Sequence, residues 1–165
     1  MKLRSTTTLG AFGAVLTLLA VSPACASTGD GDASVKILRA ITVTKSADLY
    51  FGKILPSASA STVAIAENGG RTCGTGLGCY DTATSGAFHV VGTSGEVVSV
   101  SLDSATSTLS DGASHSMTVD LGTSTSSLTL AGGAGDFNVG GTLNVGANQA
   151  DGSYTGQYSV SVSYQ

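Results

Sequence analysis

The last twelve residues of the chain, 154–165, alternate large and small side chains with a period of two. Because successive side chains of a β-strand point to opposite faces, one face would carry a stripe of large residues. That stripe consists of Tyr154, Tyr158, Val160, Val162 and Tyr164. A strand at this position is expected at the edge of a sheet, where a further strand from another chain can add.

Short alternating segments recur along the rest of the chain. They include 35–43, 62–66, 137–145, and the pair 87–91 and 97–102, which together predict a hairpin. Turns rich in Gly, Asp, Asn and Ser separate them, and helical periodicity is absent from the sequence. About nine short strands with such turns predict an all-β protein, an immunoglobulin-like antiparallel β-sandwich.

The first 26 residues have the pattern of a signal peptide. Lys2 and Arg4 precede an apolar stretch over 9–21, and small residues then lead to a cleavage site between Ala26 and Ser27. The apolar stretch is too short for a permanent membrane span. We therefore predict an exported protein that passes through the periplasm and ends at the cell surface or in an extracellular fibre.

The cysteines support an exported protein. Cys73 and Cys79 enclose a glycine-rich loop, and an even number of cysteines after cleavage predicts a disulfide between them. The alternative is a zinc site, for which His89 and His115 would have to supply the other ligands. Cys25 allows a second alternative, a lipoprotein acylated at this residue, although the usual leucine three places upstream is absent.

The charge distribution argues against nucleic acid and anionic lipid as partners. The mature chain has 5 basic and 11 acidic residues, a net charge of 5 − 11 = −6, and no lysine or arginine follows Arg71. Binding to phosphates requires clustered cations, which this chain lacks.

The sequence offers little for catalysis. His89 lies between two core-type residues and would point to solvent, whereas His115 lies in a polar strand start, so neither is placed against a nucleophile. The glycines at 74–78 lack the lysine of a phosphate-binding loop, and 30–32 lacks the further ligands of a calcium site. We predict neither an enzyme nor a bound cofactor.

Four segments resemble a family of small exported bacterial proteins of unknown function. They are 40–52, 86–92, 139–143 and 152–158, and they span nearly the whole mature chain. This resemblance implies no activity.

The ending also resembles the C-terminal signature of chaperone-usher pilins. Tyr164 is the penultimate residue, Gly152 is fourteenth from the end, and Tyr158, Val160 and Val162 complete the pattern. The resemblance implies a strand bound first by a periplasmic chaperone, assembly at an outer-membrane usher, and a sandwich that lacks one strand. Pilins usually have a disulfide across a long interval, so the small predicted loop departs from the pattern.

In such a subunit, the N-terminal arm of a neighbour supplies the missing strand. The arm here would be 27–44, followed by the sandwich domain at 45–165. Within the arm, the donor segment 33–44 is alternately apolar, with Val35, Ile37, Ile41 and Val43 as the residues that would fill successive pockets. The alternative is that these residues form the first strand of a self-contained sandwich.

These observations lead to two functional hypotheses. The first is a secreted, pilin-like structural subunit of a surface fibre, assembled by donor-strand exchange into a homopolymer or with sister subunits. The second is a monomeric extracellular binding module, similar to an adhesin, that recognises glycans or a matrix component through Ser, Thr and Tyr side chains.

Overall fold

The computed structural model describes residues 25–165, so the signal-peptide prediction for 1–24 lies outside the described part. Residues 25–35 belong to a first unit without helix or strand, and a second unit, Lys36–Gln165, contains all the described strands. The strands are β1 Thr42–Ala47, β2 Lys53–Leu55, β3 Ser61–Ile65, β4 Arg71–Cys73, β5 Gly78–Tyr80, β6 Gly86–Val91, β7 Val97–Leu102, β8 Thr106–Ser110, β9 Ser116–Thr123, β10 Ser127–Thr129, β11 Ala134–Val145 and β12 Val160–Tyr164. A single turn of 3₁₀-helix, Ala131–Gly133, precedes β11.

The largest sheet has seven antiparallel strands organised around β11. The first half of β11 pairs with β6, and its second half pairs with β3 and β9. Val139 pairs with both Gly86 and Thr123, so β6 and β9 flank β11 on opposite sides. The strands β1, β4 and β8 pair with β6, β3 and β9, respectively.

A second sheet has three antiparallel strands in the order β10-β7-β12, and a small sheet pairs β2 with β5. The main core lies between the seven-stranded and three-stranded sheets. Phe88 and Phe137 stack there with ring centroids 5.2 Å apart, facing Val98 and Val100 of the opposite sheet. The predicted all-β antiparallel sandwich is confirmed.

A second core lies at the other end of the large sheet. Val63, Val119 and Leu143 are buried there together with Phe51, and the small β2-β5 sheet covers part of them. Leu121 of β9 packs against both cores and connects them. Alternate residues of β3, β6 and β11 are buried, as the period-two pattern predicts.

The predicted hairpin is wrong in its pairing, although both of its strands exist. β6 lies in the large sheet and β7 in the three-stranded sheet, so the connection crosses between the layers. The Gly92 N–H donates to the Gly133 carbonyl, and the Gly95 N–H donates to the Leu130 carbonyl. These bonds attach the connection between β6 and β7 to the 3₁₀ turn and the residue before it. Alternation predicts which face is buried, but it does not predict the neighbouring strand.

The start of the first strand and the number of strands also differ from the prediction. The first strand begins at Thr42, and residues 35–41 have no strand structure. β4, β5 and β8 were not predicted, because β4 and β5 are three-residue strands beside glycines and β8 contains a single large apolar residue, Leu109.

Candidate assembly site

The C-terminal stripe covers the main core from the three-stranded sheet. Tyr158, Val160, Val162 and Tyr164 are half-buried and pack against the main core, whereas the serines between them are exposed. The strand itself is shorter than predicted and begins at Val160. Tyr154 lies apart from the stripe, after a turn at the exposed Gly152, and its hydroxyl donates to the Ala150 carbonyl at 2.9 Å.

The outer edge of β12 has no strand partner within residues 25–165. The backbone N–H of Asp103 donates to the Ser159 carbonyl, and the backbone N–H of Gln165 donates to the Val97 carbonyl. The backbone groups of the odd-numbered residues along β12 therefore point to β7. Because antiparallel pairing alternates along a strand, the N–H and C=O groups of Val160 and Val162 point the opposite way. β12 thus presents an open edge directly beside the main core.

A second open edge lies on the same side of the sandwich. β1 pairs only with β6 and ends the large sheet there. The hydroxyl of Tyr158 lies against Gly86, and that of Tyr164 lies against Gly92, at the two ends of β6. β12 therefore packs over β6, which places the open edges of β1 and β12 along one side.

The four residues proposed to fill pockets in a neighbour have different environments. Val35 and Ile37 have no strand structure and are 84% and 83% exposed. Ile41 is half-buried and packs against the main core of its own chain, and Val43 pairs with Val90 within β1 and β6. The donor segment 33–44 is thus divided, with 33–41 outside any strand and 42–44 paired in the same chain.

The second unit holds its first residues through polar contacts. The Arg39 N–H donates to Thr93 Oγ1 at 2.6 Å, and the Arg39 carbonyl accepts from the Tyr164 hydroxyl at 2.7 Å. Lys36 forms an ion pair with Glu96 on the same β6-β7 crossing. The sequence patterns did not predict a role in this packing for Arg39, Thr93, Gly86 or Gly92.

One signal for this packing was present in the sequence. Gly86 and Gly92 are six residues apart, and so are Tyr158 and Tyr164. Two strands that run alongside each other in facing sheets bring equally spaced positions together, so the matched spacing could have suggested the contact.

The Tyr158 hydroxyl is buried and has no hydrogen-bond partner among the described residues. Its ring packs edge-on against Phe88, with centroids 6.1 Å apart. Burial raises the pKa of Tyr158, and the negative charge of Asp48 raises it further. The stripe therefore contains a buried polar atom that loses its hydrogen bonds to water without gaining one from the described residues.

The predicted disulfide between Cys73 and Cys79 is confirmed. It joins β4 of the large sheet to β5 of the small sheet, and it leaves neither sulfur free to bind zinc. Leu55 and Tyr80, on paired strands of the small sheet, are 59% and 58% exposed. The disulfide thus holds an exposed apolar pair close to the loop between the cysteines.

The two histidines lie in separate places, and each contacts an aspartate. His89 projects from the outer face of β6, with Nδ1 2.7 Å from Asp136 Oδ1 of β11. His115 lies in the β8-β9 turn, 2.7 Å from Asp111 Oδ2. The hydrogen bond from the His115 side chain, followed by that from the Ala113 N–H, lowers the pKa of Asp111.

The outer face of the large sheet has a shallow depression of about 410 Å³ over β3, β9 and β11. Glycines 122, 140 and 141 line it together with Glu67 and Asp120. Ala26 and Ser27, which flank the predicted signal-peptide cleavage site, are exposed and lie outside any helix or strand.

These features define an all-β, disulfide-containing sandwich with two open strand edges on one side and an exposed aliphatic segment ahead of its first strand. The chain belongs to the family described as a domain of unknown function, DUF4402, whose model matches residues 41–164. No curated protein is detectably similar to it. Within residues 25–165, no helix has the length and apolar character to cross a membrane.

Proposed function

We propose that this protein is a secreted structural subunit of a surface fibre, assembled by donor-strand exchange. The arm of one copy, with Val35 and Ile37, adds to the open edge of β12 in the next copy. The observation that carries the proposal is this edge, because it lies beside the main core and presents unpaired backbone groups at Val160 and Val162. The pilin-like ending also supports it, and it suggests that a periplasmic chaperone and an outer-membrane usher handle the subunit.

The exposure of the arm supports the same proposal. Two aliphatic side chains that are more than four-fifths exposed contribute no burial energy to the isolated chain. Burying each one would contribute roughly 1.5–3 kcal/mol before ordering costs. A strand edge beside an apolar core is a suitable acceptor, since backbone hydrogen bonds supply affinity and pockets supply selectivity.

A gel experiment tests whether the arm is exchanged. The secreted chain, run unboiled on a denaturing gel, should give a ladder of oligomers that boiling collapses. Val35→Ser with Ile37→Ser should abolish the ladder, whereas the control Ala33→Ser with Ser34→Thr should keep it. A wild-type chain that runs only as a monomer at high concentration, without a chaperone and with one, would contradict the proposal.

A second experiment tests the acceptor edge. Val162→Pro removes an N–H that points away from β7, so it should block strand addition while the β7 pairing stays intact. The control Val162→Ala loses similar packing but retains the N–H. We expect both variants to fold, with oligomers formed by the alanine variant alone.

The alternative is a monomeric extracellular binding module, and one observation favours it. Both β1 and β12 pair within the same chain, and the two cores have thirteen buried hydrophobic residues. The exposed Leu55 and Tyr80 beside the disulfide would then form part of a binding surface. Tyr80→Ala tested on an array of immobilised oligosaccharides separates the hypotheses, since wild-type binding that this variant loses, in a chain that runs only as a monomer, would indicate a module.

A further inference from the structure

The backbone of Arg39 is held from both sides by two side chains. Its N–H donates to Thr93 Oγ1 at 2.6 Å, and its carbonyl accepts from the Tyr164 hydroxyl at 2.7 Å. The Tyr164 oxygen also accepts from the Thr93 N–H at 2.7 Å. Three hydrogen bonds thus close a ring through Arg39, Thr93 and Tyr164, which we call the latch.

The surroundings of the latch leave little freedom to the tyrosine. The Tyr164 ring packs on the main core, and a Cβ at Gly92 would lie 2.6 Å from its hydroxyl and 2.7 Å from Leu130 Cδ1. Gly92 is buried, so its lack of a side chain makes the space that the hydroxyl occupies. The hydroxyl position is therefore set by the sandwich rather than by the arm.

The arm on the two sides of Arg39 behaves differently. Ile41 follows the latch and packs on the main core, whereas Ile37 precedes it and is 83% exposed. The Lys36–Glu96 ion pair is exposed on the lysine side, and ion pairs of that kind hold a chain weakly. The latch is thus the last firm attachment before the exposed segment.

We propose that Tyr164 is a positioning residue that determines where the N-terminal arm separates from the sandwich. With the latch closed, the donatable segment ends ahead of Arg39 and Ile41 stays in its own core. With the latch open, the free segment extends to the start of β1. The effect on fibre assembly rests on the proposed function, but the latch itself does not.

Limited trypsin digestion of the monomeric fraction of the secreted chain measures the latch directly. Cleavage after Arg39 requires the backbone around this residue to leave Thr93 and Tyr164, and mass spectrometry distinguishes it from cleavage after Lys36, Lys45, Lys53 or Arg71. Tyr164→Phe keeps the ring but removes two hydrogen bonds, so cleavage after Arg39 should become about tenfold faster. Thr93→Ala should act similarly, and Thr93→Ser should restore the wild-type rate.

Tyr154→Phe is the matched control. It also removes a tyrosine hydroxyl that donates to a backbone carbonyl, but this carbonyl belongs to Ala150, which forms no hydrogen bond with Arg39, Thr93 or Tyr164. Its cleavage rate after Arg39 should equal that of the wild type. Cleavage after Arg71, inside β4, reports global opening and should stay unchanged in every variant.

Two results would overturn the inference. One is wild-type cleavage after Arg39 in folded Tyr164→Phe and Thr93→Ala variants. The other is an equal increase after Arg39 and Arg71, which would show that the tyrosine only stabilises the fold. Should Tyr164→Phe not fold, hydrogen exchange of the Arg39 amide in Thr93→Ala gives the same decision. These measurements use monomers, so a failure of the oligomer ladder would count against the proposed function alone.

Discussion

The Tyr158 hydroxyl occupies the space that a side chain at Gly86 would need. Gly86 begins β6 in the large sheet, and Tyr158 precedes β12 in the facing sheet, so the contact spans the two layers. Four predictions about stability follow from this contact and from the other features of the sandwich.

Gly86→Ala should destabilise the protein. The added methyl group would collide with the Tyr158 hydroxyl, and overpacking of this kind costs about 1–3 kcal/mol. Chemical denaturation monitored by circular dichroism gives the free energy of unfolding. Gly122→Ala is the control, because its nearest obstacle is the flexible end of Glu67, 3.3 Å away. In the double variant with Tyr158→Phe, part of the loss should be recovered; strictly additive losses would show that the hydroxyl is not the obstacle.

Tyr158→Phe alone should leave the free energy of unfolding unchanged or slightly increased at neutral pH. The variant removes a buried hydroxyl that has no partner among residues 25–165. Burial raises the pKa of Tyr158 above its ordinary value of 10.0, so the folded chain favours the neutral hydroxyl over the ionised one. The fold is therefore more stable below about pH 10, where Tyr158 is neutral in both states, than at higher pH. That stability is lost as the pH rises from 10 through the raised pKa.

The alkaline part of this prediction can be measured separately. Unfolding curves from pH 9 to pH 12 should show a smaller decline for Tyr158→Phe than for the wild type. Tyr80→Phe changes an exposed ring and should decline as the wild type does. Identical slopes for all three proteins would mean that Tyr158 ionises equally well in the folded and unfolded chains.

Loss of the Cys73–Cys79 disulfide should lower the free energy of unfolding by about 2 kcal/mol, as expected for a small closed loop. Cys73→Ser with Cys79→Ser, compared with the oxidised wild type in the same denaturant, tests the magnitude. The reduced wild type should match the double variant. Because the disulfide lies at the β4-β5 end, the cleavage rate after Arg39 should not change.

Acid should weaken the β8-β9 turn through Asp111. Hydrogen bonds from the His115 side chain and the Ala113 N–H lower the pKa of this carboxyl below its ordinary 3.8. The stabilisation is therefore complete above about pH 4 and disappears as the pH falls through the lowered value. Asp111→Asn should remove this acid dependence, as measured by unfolding between pH 2 and pH 5, whereas Asp103→Asn should retain it.

The sequence predicts the faces of the strands well. In β6, Phe88 and Val90 are buried and His89 points outward, as alternation requires. The disulfide was predicted for a similarly local reason, because the cysteines are close in the chain and glycines let the loop close. The half-buried stripe of β12 follows from the same period of two.

The sequence does not predict which strands become neighbours. Residues 87–91 and 97–102 have the pattern of a hairpin, yet their strands join different sheets, and only the contacts of Gly92 and Gly95 with the 3₁₀ turn show the crossing. Likewise, Arg39 interrupts an alternating pattern in the sequence, whereas in the structure its backbone is held by the tyrosine at position 164.

The amino-acid sequence by itself determines the all-β class, the buried face of each strong strand, the disulfide and the absence of clustered cations, since each depends on residues close together in the chain. The tertiary structure decides the order of the strands, the pairing of β1 with β6, the open edge of β12 and the latch at Arg39. These depend on contacts between residues up to 125 positions apart, whose geometry no local period encodes.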